Sequence, residues 1–283
     1  MFRIDILLEY RERFANWKSV IIKMLLKKYP ITCLLHEGEN LIIYNHKQLE
    51  MARAGFIFEF SPVKRILSFI FMEKKINLFD SDYNGDVLGV FYKQEYSNLN
   101  VDNKLVIDIG ANIGDSAIYF AIKGAKEVIA LEPYPSTFQS LKENVRVNGY
   151  ADKIRGLNAG YGKDGYIKVN PQRKTIGATS LSPDISGLEV PLFSLQTIVD
   201  NYCIEEAILK MDCEGCEYAL LDEDPRYLAP FSEIEIEYHY GYEKLVNFLK
   251  KCGYNVTYTD PVNYFNIEAQ DPDMKLGLII AKK

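Results

Sequence analysis

The sequence is short of several things. In 283 residues it holds one tryptophan, three histidines and five cysteines. Cys33, Cys203, Cys213, Cys216 and Cys252 are too few and too scattered for a disulfide scaffold. Their odd number is the pattern of a reduced, cytoplasmic protein. No uncharged apolar run reaches 18 residues, which excludes an ordinary transmembrane helix. The start, MFRIDILLEYRERF, interrupts its apolar residues with charges and lacks the small-residue cleavage pattern of a secretory signal. Nor is there a strong excess of one charge. Thirty-three basic against 39 acidic residues leave −6, which argues against a nucleic-acid binder working mainly by phosphate neutralisation. What is present is ordinary for a globular chain: 48% hydrophobic and 25% charged residues exclude bulk disorder. Only residues 1–30 are lopsided, with seven Lys/Arg against three Asp/Glu.

The sequence is expected to divide into an N-terminal accessory or cap region, 1–100, and a larger second domain, 101–283. In the first, apolar residues at three- and four-residue spacing predict one helix over 5–29, ended by Pro30. ITCLL and NLIIY read as two short strands and FIFEF as a third. A helix is expected over 62–73 with Pro62 in its first turn, then a turn at SDYNGD (81–86) and a strand at VLGVFY. From Asn103 strands and helices alternate. Strands are predicted at 104–109, 127–132, 154–158, 207–211 and 233–237, with helices at 113–123, 135–148, from about Glu217, and 241–252. The last two strands, 255–259 and 276–281, read as an antiparallel pair joined by a long connection. The expected fold is α/β: a doubly wound sheet with a reversed final strand, plus a small α+β N-terminal region.

The glycine-rich turn VIDIGANIG (106–114) carries the most information. A buried strand delivers Asp108, and Gly110 and Gly114 flank Asn112 as a helix begins. Glycines there permit a tight turn and close backbone approach to a ligand. A dinucleotide fingerprint wants glycine in place of Asn112 and sets a pyrophosphate on the helix end. Asp108 at that turn is poor for a pyrophosphate and suits an amine or sulfonium. The ligand expected is therefore S-adenosylmethionine, with Glu132 at the tip of the next strand placed for two ribose hydroxyls. Asn158, after the third strand, is placed to frame the adenine.

VIDIGANIGDSAIYFA, EVIALEPYPSTFQSLKENVRVNG, LQTIVD, ILKMDCEGCEYALL and EIEIEYHYGYEKLVNFLKKCGY together resemble the FkbM-type methyltransferases. The resemblance runs from Val106 to about Tyr258. It implies a class I, Rossmann-like methyltransferase that uses S-adenosylmethionine to methylate hydroxyls of sugars, glycolipids, polyketides or similar metabolites. Residues 1–100 find little support in it, and Cys213 and Cys216 stand where small or apolar residues are usual.

Lys210, Asp212, Glu214 and Glu217 cluster at a strand's C-terminal end, where open α/β sheets bind ligands. Asp212 is expected to face the reaction centre and Lys210 to pair with a carboxylate. Cys213-x-x-Cys216 has half a zinc site's spacing, but two thiolates do not fill a tetrahedral site, so both read as small buried hydrophobes. His239, just past a strand, is the candidate to take a proton from the acceptor, with Asp212 as the other. No metal is expected, because the alternative set of Asp212, Glu237 and His239 makes no closed ligand group. The partners expected are a small-molecule, sugar or lipid hydroxyl acceptor, with nucleic acid unfavoured and peripheral membrane contact or self-association left open. Two other readings stand beside the methyltransferase: a non-catalytic binding protein on the same scaffold, and a nicotinamide-dependent oxidoreductase.

Overall fold

The computed structural model describes residues 4–80, 86–172, 187–263 and 274–283. The turn expected at 81–86 and the long connection before the final strand lie largely outside them. Contacts divide the chain into two compact units, Met1–Asp82 with Asp86–Lys93, and Gln94–Lys283.

In the first unit the single N-terminal helix becomes two, α1 (Ile4–Arg13) and α2 (Trp17–Leu25). The break has a local cause. Phe14 bridges to Leu35, and the Asn16 side chain donates to Thr32 O while accepting the Leu34 N–H. Residues 14–16 thus serve strand β1 (Ile31–Leu34), which pairs with β2 (Asn40–Ile43). Helix α3 (His46–Ala54) was not foreseen, although Asn45 caps its start and Gly55 its end. The helix expected over 62–73 is instead a meander of β3 (Glu59–Ser61), β4 (Ile66–Phe71) and β5 (Lys74–Phe79). Burial of alternate residues Leu67, Phe69 and Phe71 sets the period, and Met72 and Glu73, both at positive φ, close the hairpin between β4 and β5. VLGVFY is helical rather than extended, as a π-turn over Leu88–Lys93 that opens with the Gly89 N–H on Asp86.

The second unit holds β6 (Leu105–Ile109), α4 (Asp115–Ile122), β7 (Glu127–Leu131), α5 (Pro135–Val147) and β8 (Ile154–Leu157). After them come β9 (Gly160–Tyr161), β10 (Gly165–Val169), β11 (Leu188–Phe193), α6 (Leu195–Tyr202) and β12 (Ala207–Met211). The chain then runs through β13 (Phe231–Tyr238), α7 (Glu243–Lys251), β14 (Asn255–Tyr258), β15 (Val262–Asn263) and β16 (Lys275–Lys282). The main sheet is ordered β14-β16-β13-β12-β6-β7-β8. Strands β13, β12, β6, β7 and β8 run parallel to one another, and β16 is antiparallel to both its neighbours. Strands buried on both faces need near-continuous apolar sequence, which VIDI, VIAL and AILKM supply.

Across the middle of this sheet Asp108, Lys210 and Glu235 are in register on β6, β12 and β13. Two acids flank one lysine, and its ammonium goes to Asp108 at 2.9 Å. Glu235 is 1% exposed, and among the described residues neither of its carboxyl oxygens has a hydrogen-bond partner. Burial pushes its carboxyl up to about 8, with Lys210 and Lys282 only partly opposing. Its folded value therefore lies above the unfolded value of about 4.3. Only the folded chain keeps that proton between the two values, so Glu235 makes stability fall as pH rises from about 4.3 to about 8. Glu235→Gln, a neutral isostere, should leave the thermal midpoint near its wild-type value at pH 4 and raise it by several degrees at pH 9. An equal shift at both pH values would show that ionisation of Glu235 is not what the change removes.

Candidate cofactor and acceptor site

The site is built on the turn after β6. Gly110 has φ 78°, and a Cβ on it would lie 1.9 Å from the Asp212 carbonyl oxygen, so only glycine fits. Gly114, at φ 86°, lets the start of α4 lie against Leu141 of α5. Asn112 between them also takes positive φ, a conformation that asparagine tolerates better than most residues. The turn is tied to β7 by the Gly110 and Ala111 N–H groups, both donating to Leu131 O.

Asp108 is fully buried. Its carboxylate takes the Lys210 ammonium on one oxygen and the Ser116 hydroxyl, at 2.7 Å, on the other. The expectation that it meets the ligand's cation directly is corrected accordingly: it stands beneath the turn and fixes it. Lys210 also donates to Gly110 O at 3.0 Å and lies 5.5 Å from the centre of the Tyr96 ring. Burial alone would lower its pKa, but Asp108 and Asp212 carry it above the ordinary lysine value.

Glu132, 4% exposed at the end of β7, accepts the Tyr134 N–H at 2.8 Å and a backbone N–H from Asn112. Burial nevertheless pushes its carboxyl up to about 8. Asn158 donates to the carbonyls of Glu132 and Pro133, both at 2.9 Å. It therefore holds the segment that bears Glu132.

After β12 the chain turns through Asp212–Glu217. Cys213 and Cys216 are joined by a disulfide here, which corrects their reading as separate buried hydrophobes. The helix expected from Glu217 is a 3₁₀ turn, Cys216–Asp222. Glu217 is fully buried and accepts the Gly215 N–H at 2.8 Å on one oxygen. On the other it receives the His239 backbone N–H at 3.0 Å and Nδ1 at 2.9 Å. His239 Nε2 lies 3.1 Å from Glu214 and 4.0 Å from Asp212. Burial opposes a charge on this ring, but the bonds to Glu214 and Glu217 outweigh it and push the pKa up to about 12. His239 is thus an imidazolium at neutral pH. Held between Glu214 and Glu217, it is poorly suited to the proton-accepting role expected of it. Burial, then Asp212, pushes the carboxyl of Glu237 well above the usual range.

Asp212, Glu214 and His239 offer ligand atoms within 4.8 Å of one another, the grouping that could hold a metal ion. Glu214 replaces Glu237 in the set weighed from spacing. Both nitrogens of the ring are, however, already directed at carboxylates.

Ser116, Tyr96 and the clamp of His239 by Glu214 and Glu217 were not foreseen. The only sequence signal for the clamp is the density of acids in DCEGCE opposite a lone histidine. Tyr96 carries none, because it lies outside the alternating α/β pattern.

Residues 108–256 match the methyltransferase FkbM domain, more than half of the chain. The chain belongs to this family. It is an S-adenosylmethionine-dependent methyltransferase with a class I, Rossmann-like catalytic domain, and the scaffold-only and nicotinamide readings are set aside. A ribosomal protein L11 methyltransferase of Alteromonas mediterranea is 28% identical over 111 residues, 39% of this chain and 34% of that one. The tRNA(Phe) (4-demethylwyosine(37)-C(7)) aminocarboxypropyltransferase of Pyrococcus horikoshii is 38% identical over 56 residues, 20% of each chain. The chain spans only 20–34% of the length of the curated relatives it matches. Among solved structures, P. horikoshii TYW2 in complex with MeSAdo covers 93% of this chain and 81% of its own, at 15% identity and TM-score 0.44. The expectation of a small-molecule, sugar or lipid acceptor with nucleic acid unfavoured is overturned by two of the curated relatives, one named for a ribosomal protein and one for a tRNA. Among the described residues no helix is long and apolar enough to cross a membrane.

The His239 clamp makes a direct prediction for this methyltransferase. In ¹⁵N-labelled protein the His239 ring signals should stay those of an imidazolium from pH 6 to pH 9. Glu217→Gln should bring its titration down into that range. A wild-type ring that titrates near pH 6.5, the ordinary value, would contradict the clamp.

Proposed function

We propose that this methyltransferase modifies a structured RNA, with Asp212 receiving the acceptor's proton and residues 101–283 forming the catalytic domain. The carrying observation is the glycine turn braced by Asp108–Lys210 beside the buried Glu132, with Asp212 on the next strand end. The residues fit the cofactor. Gly110 lets the turn after β6 pack against the Asp212 backbone, Glu132 offers a carboxyl to ribose hydroxyls, and Asn158 holds the loop that bears it. When bound, S-adenosylmethionine supplies a methyl group already activated on a sulfonium, so positioning and electrostatics account for most of the catalysis. Asp212 orients the nucleophile and takes its hydrogen. His239, held as a cation by Glu214 and Glu217, keeps that acid from facing only other acids. The mechanism as proposed needs no metal, although Asp212, Glu214 and His239 are grouped as the ligands of one would be.

RNA is favoured over a protein acceptor by a feature of the chain itself. Between Glu12 and Glu37 stand Arg13, Lys18, Lys23, Lys27 and Lys28 and no acid, in a protein of net charge −6. Lys18, Lys27 and Lys28 are exposed. Such a span attracts phosphate whatever the overall charge. The N-terminal region is accordingly assigned to acceptor capture.

Two measurements test this. Calorimetry of S-adenosylmethionine at pH 7 in buffers of different ionisation enthalpy should show proton release, since ribose hydroxyls favour the ionised form of a Glu132 carboxyl pushed up to about 8. Glu132→Gln should abolish the release and weaken binding at least tenfold. Proton uptake would contradict the placement of Glu132. For the acceptor, label from tritiated S-adenosylmethionine should enter unmodified tRNA or rRNA. Asp212→Asn should slow the transfer about 10²-fold, the lower range for a lost acid–base group, and chelators should leave it unchanged. Label in ribosomal protein instead would support the protein reading. Label in neither would end the macromolecular one.

A further inference from the structure

The disulfide Cys213–Cys216 has no part in the mechanism above, yet it sits where the two halves of the site are joined. It closes a ring of residues 213–216, with Glu214 and Gly215 both at positive φ inside it. On one side the ring abuts the cofactor turn. Asp212 N–H donates to Ile109 O at 3.1 Å, and the Asp212 carbonyl and Cys213 Cα are the atoms that crowd Gly110. On the other side lies the clamp. Cys213 Sγ is 3.6 Å from the Glu217 oxygen that accepts the Gly215 N–H, and the second Glu217 oxygen holds His239. Both cysteines are half-buried, so a small thiol can reach them. Cys33, Cys203 and Cys252 are free and separate from the pair.

We propose that Cys213–Cys216 is a reversible thiol–disulfide site through which a dithiol reductant sets the grip of the glycine turn on the cofactor. The inference rests on the cofactor-site reading given above. In the reduction, one thiolate of the reductant attacks a sulfur of the pair, the S–S bond breaks, and a mixed disulfide forms with release of one cysteine thiolate. The reductant's second thiolate resolves the mixed disulfide. Two electrons and two protons pass to the protein, which ends with Cys213 and Cys216 as thiols, and the reductant ends as a disulfide. The consequences follow from the contacts. Opening the ring removes one of the constraints on the positive-φ pair Glu214 and Gly215, leaving the Glu214–His239 contact and the Gly215 N–H on Glu217 to hold them. It also gives Glu217 a thiol S–H donor in competition with the Gly215 N–H. Asp212 and Cys213, the floor of Gly110, lose their fixed position. The oxidised form is therefore the tight-binding one.

The test uses the full chain purified without reductant. Alkylation under denaturing conditions, read by mass spectrometry, should label Cys33, Cys203 and Cys252 only, and all five cysteines after dithiothreitol. S-adenosylhomocysteine should bind the oxidised protein at least fivefold more tightly than the reduced one, and oxidised glutathione should restore the affinity. The Cys213→Ser, Cys216→Ser double variant should bind like the reduced form and ignore dithiothreitol. Alkylation of Cys213 and Cys216 without prior reduction, or equal measurable affinity in the two states, would overturn the proposal while leaving the cofactor site intact. No binding in either state would overturn the cofactor-site reading and this proposal with it.

Discussion

Lys210 stands between Asp108 and Glu235, in register on three neighbouring strands, and its ammonium reaches only the first. Much else depends on that pairing. Removing one partner of a buried ion pair typically costs about 3–5 kcal/mol, because the other charge is left in a poor solvent. Here the loss would spread, since Lys210 also binds the Gly110 carbonyl and Asp108 also binds Ser116 at the start of α4. One ion pair therefore braces both the glycine turn and the first turn of the following helix. Glu235 is the counterpart cost. With the lysine committed to its neighbour, it is held in its neutral form.

A second hub lies one turn beyond the end of β12. Glu217 is buried, and it satisfies the Gly215 N–H, the His239 backbone and the His239 ring together. Its position converts a histidine from a group that titrates near neutrality into a fixed cation. The chemistry of the site follows from that conversion. A neutral imidazole beside Asp212 would compete with it for the acceptor's proton, whereas an imidazolium can only stabilise the carboxylate. A buried carboxylate thus fixes the charge of the ring beside Asp212.

The α/β half was largely legible in sequence because its signals are redundant. Buried parallel strands need runs such as VIDI and AILKM, glycine turns follow them, and α7 ends in Lys250 and Lys251 before Gly253. Each signal agrees with its neighbours. The N-terminal unit was less legible because its elements are short and decided by tertiary partners. The stretch ILSFIF satisfies a helical or a strand reading until Met72 and Glu73 close a hairpin. The break at Phe14–Asn16 exists only because β1 is there to receive it. At the site, Glu132 and the Gly110 turn could be read from spacing alone. The engagement of Asp108 and the charge of His239 could not, because each depends on groups far away in sequence: Lys210 for the first, Glu214 and Glu217 for the second.

The distribution of charge around the turn bears on turnover as well as binding. Asp108, Glu132, Asp212, Glu214, Glu217 and Glu237 stand against Lys210 and His239. Two of these acids, Glu132 and Glu237, have their carboxyls pushed up by burial, and Asp212 adds to the effect on Glu237. On the proposed placement, a ligand bearing a sulfonium sits among more acids than bases. Methyl transfer then turns the sulfonium into a neutral sulfide, and the attraction that favoured entry is lost at the moment of reaction. On that placement the acids facing the sulfonium would hold its neutral product less strongly. The buried framework of Asp108 and Lys210 does not change charge during this exchange, so the cradle persists while its affinity falls.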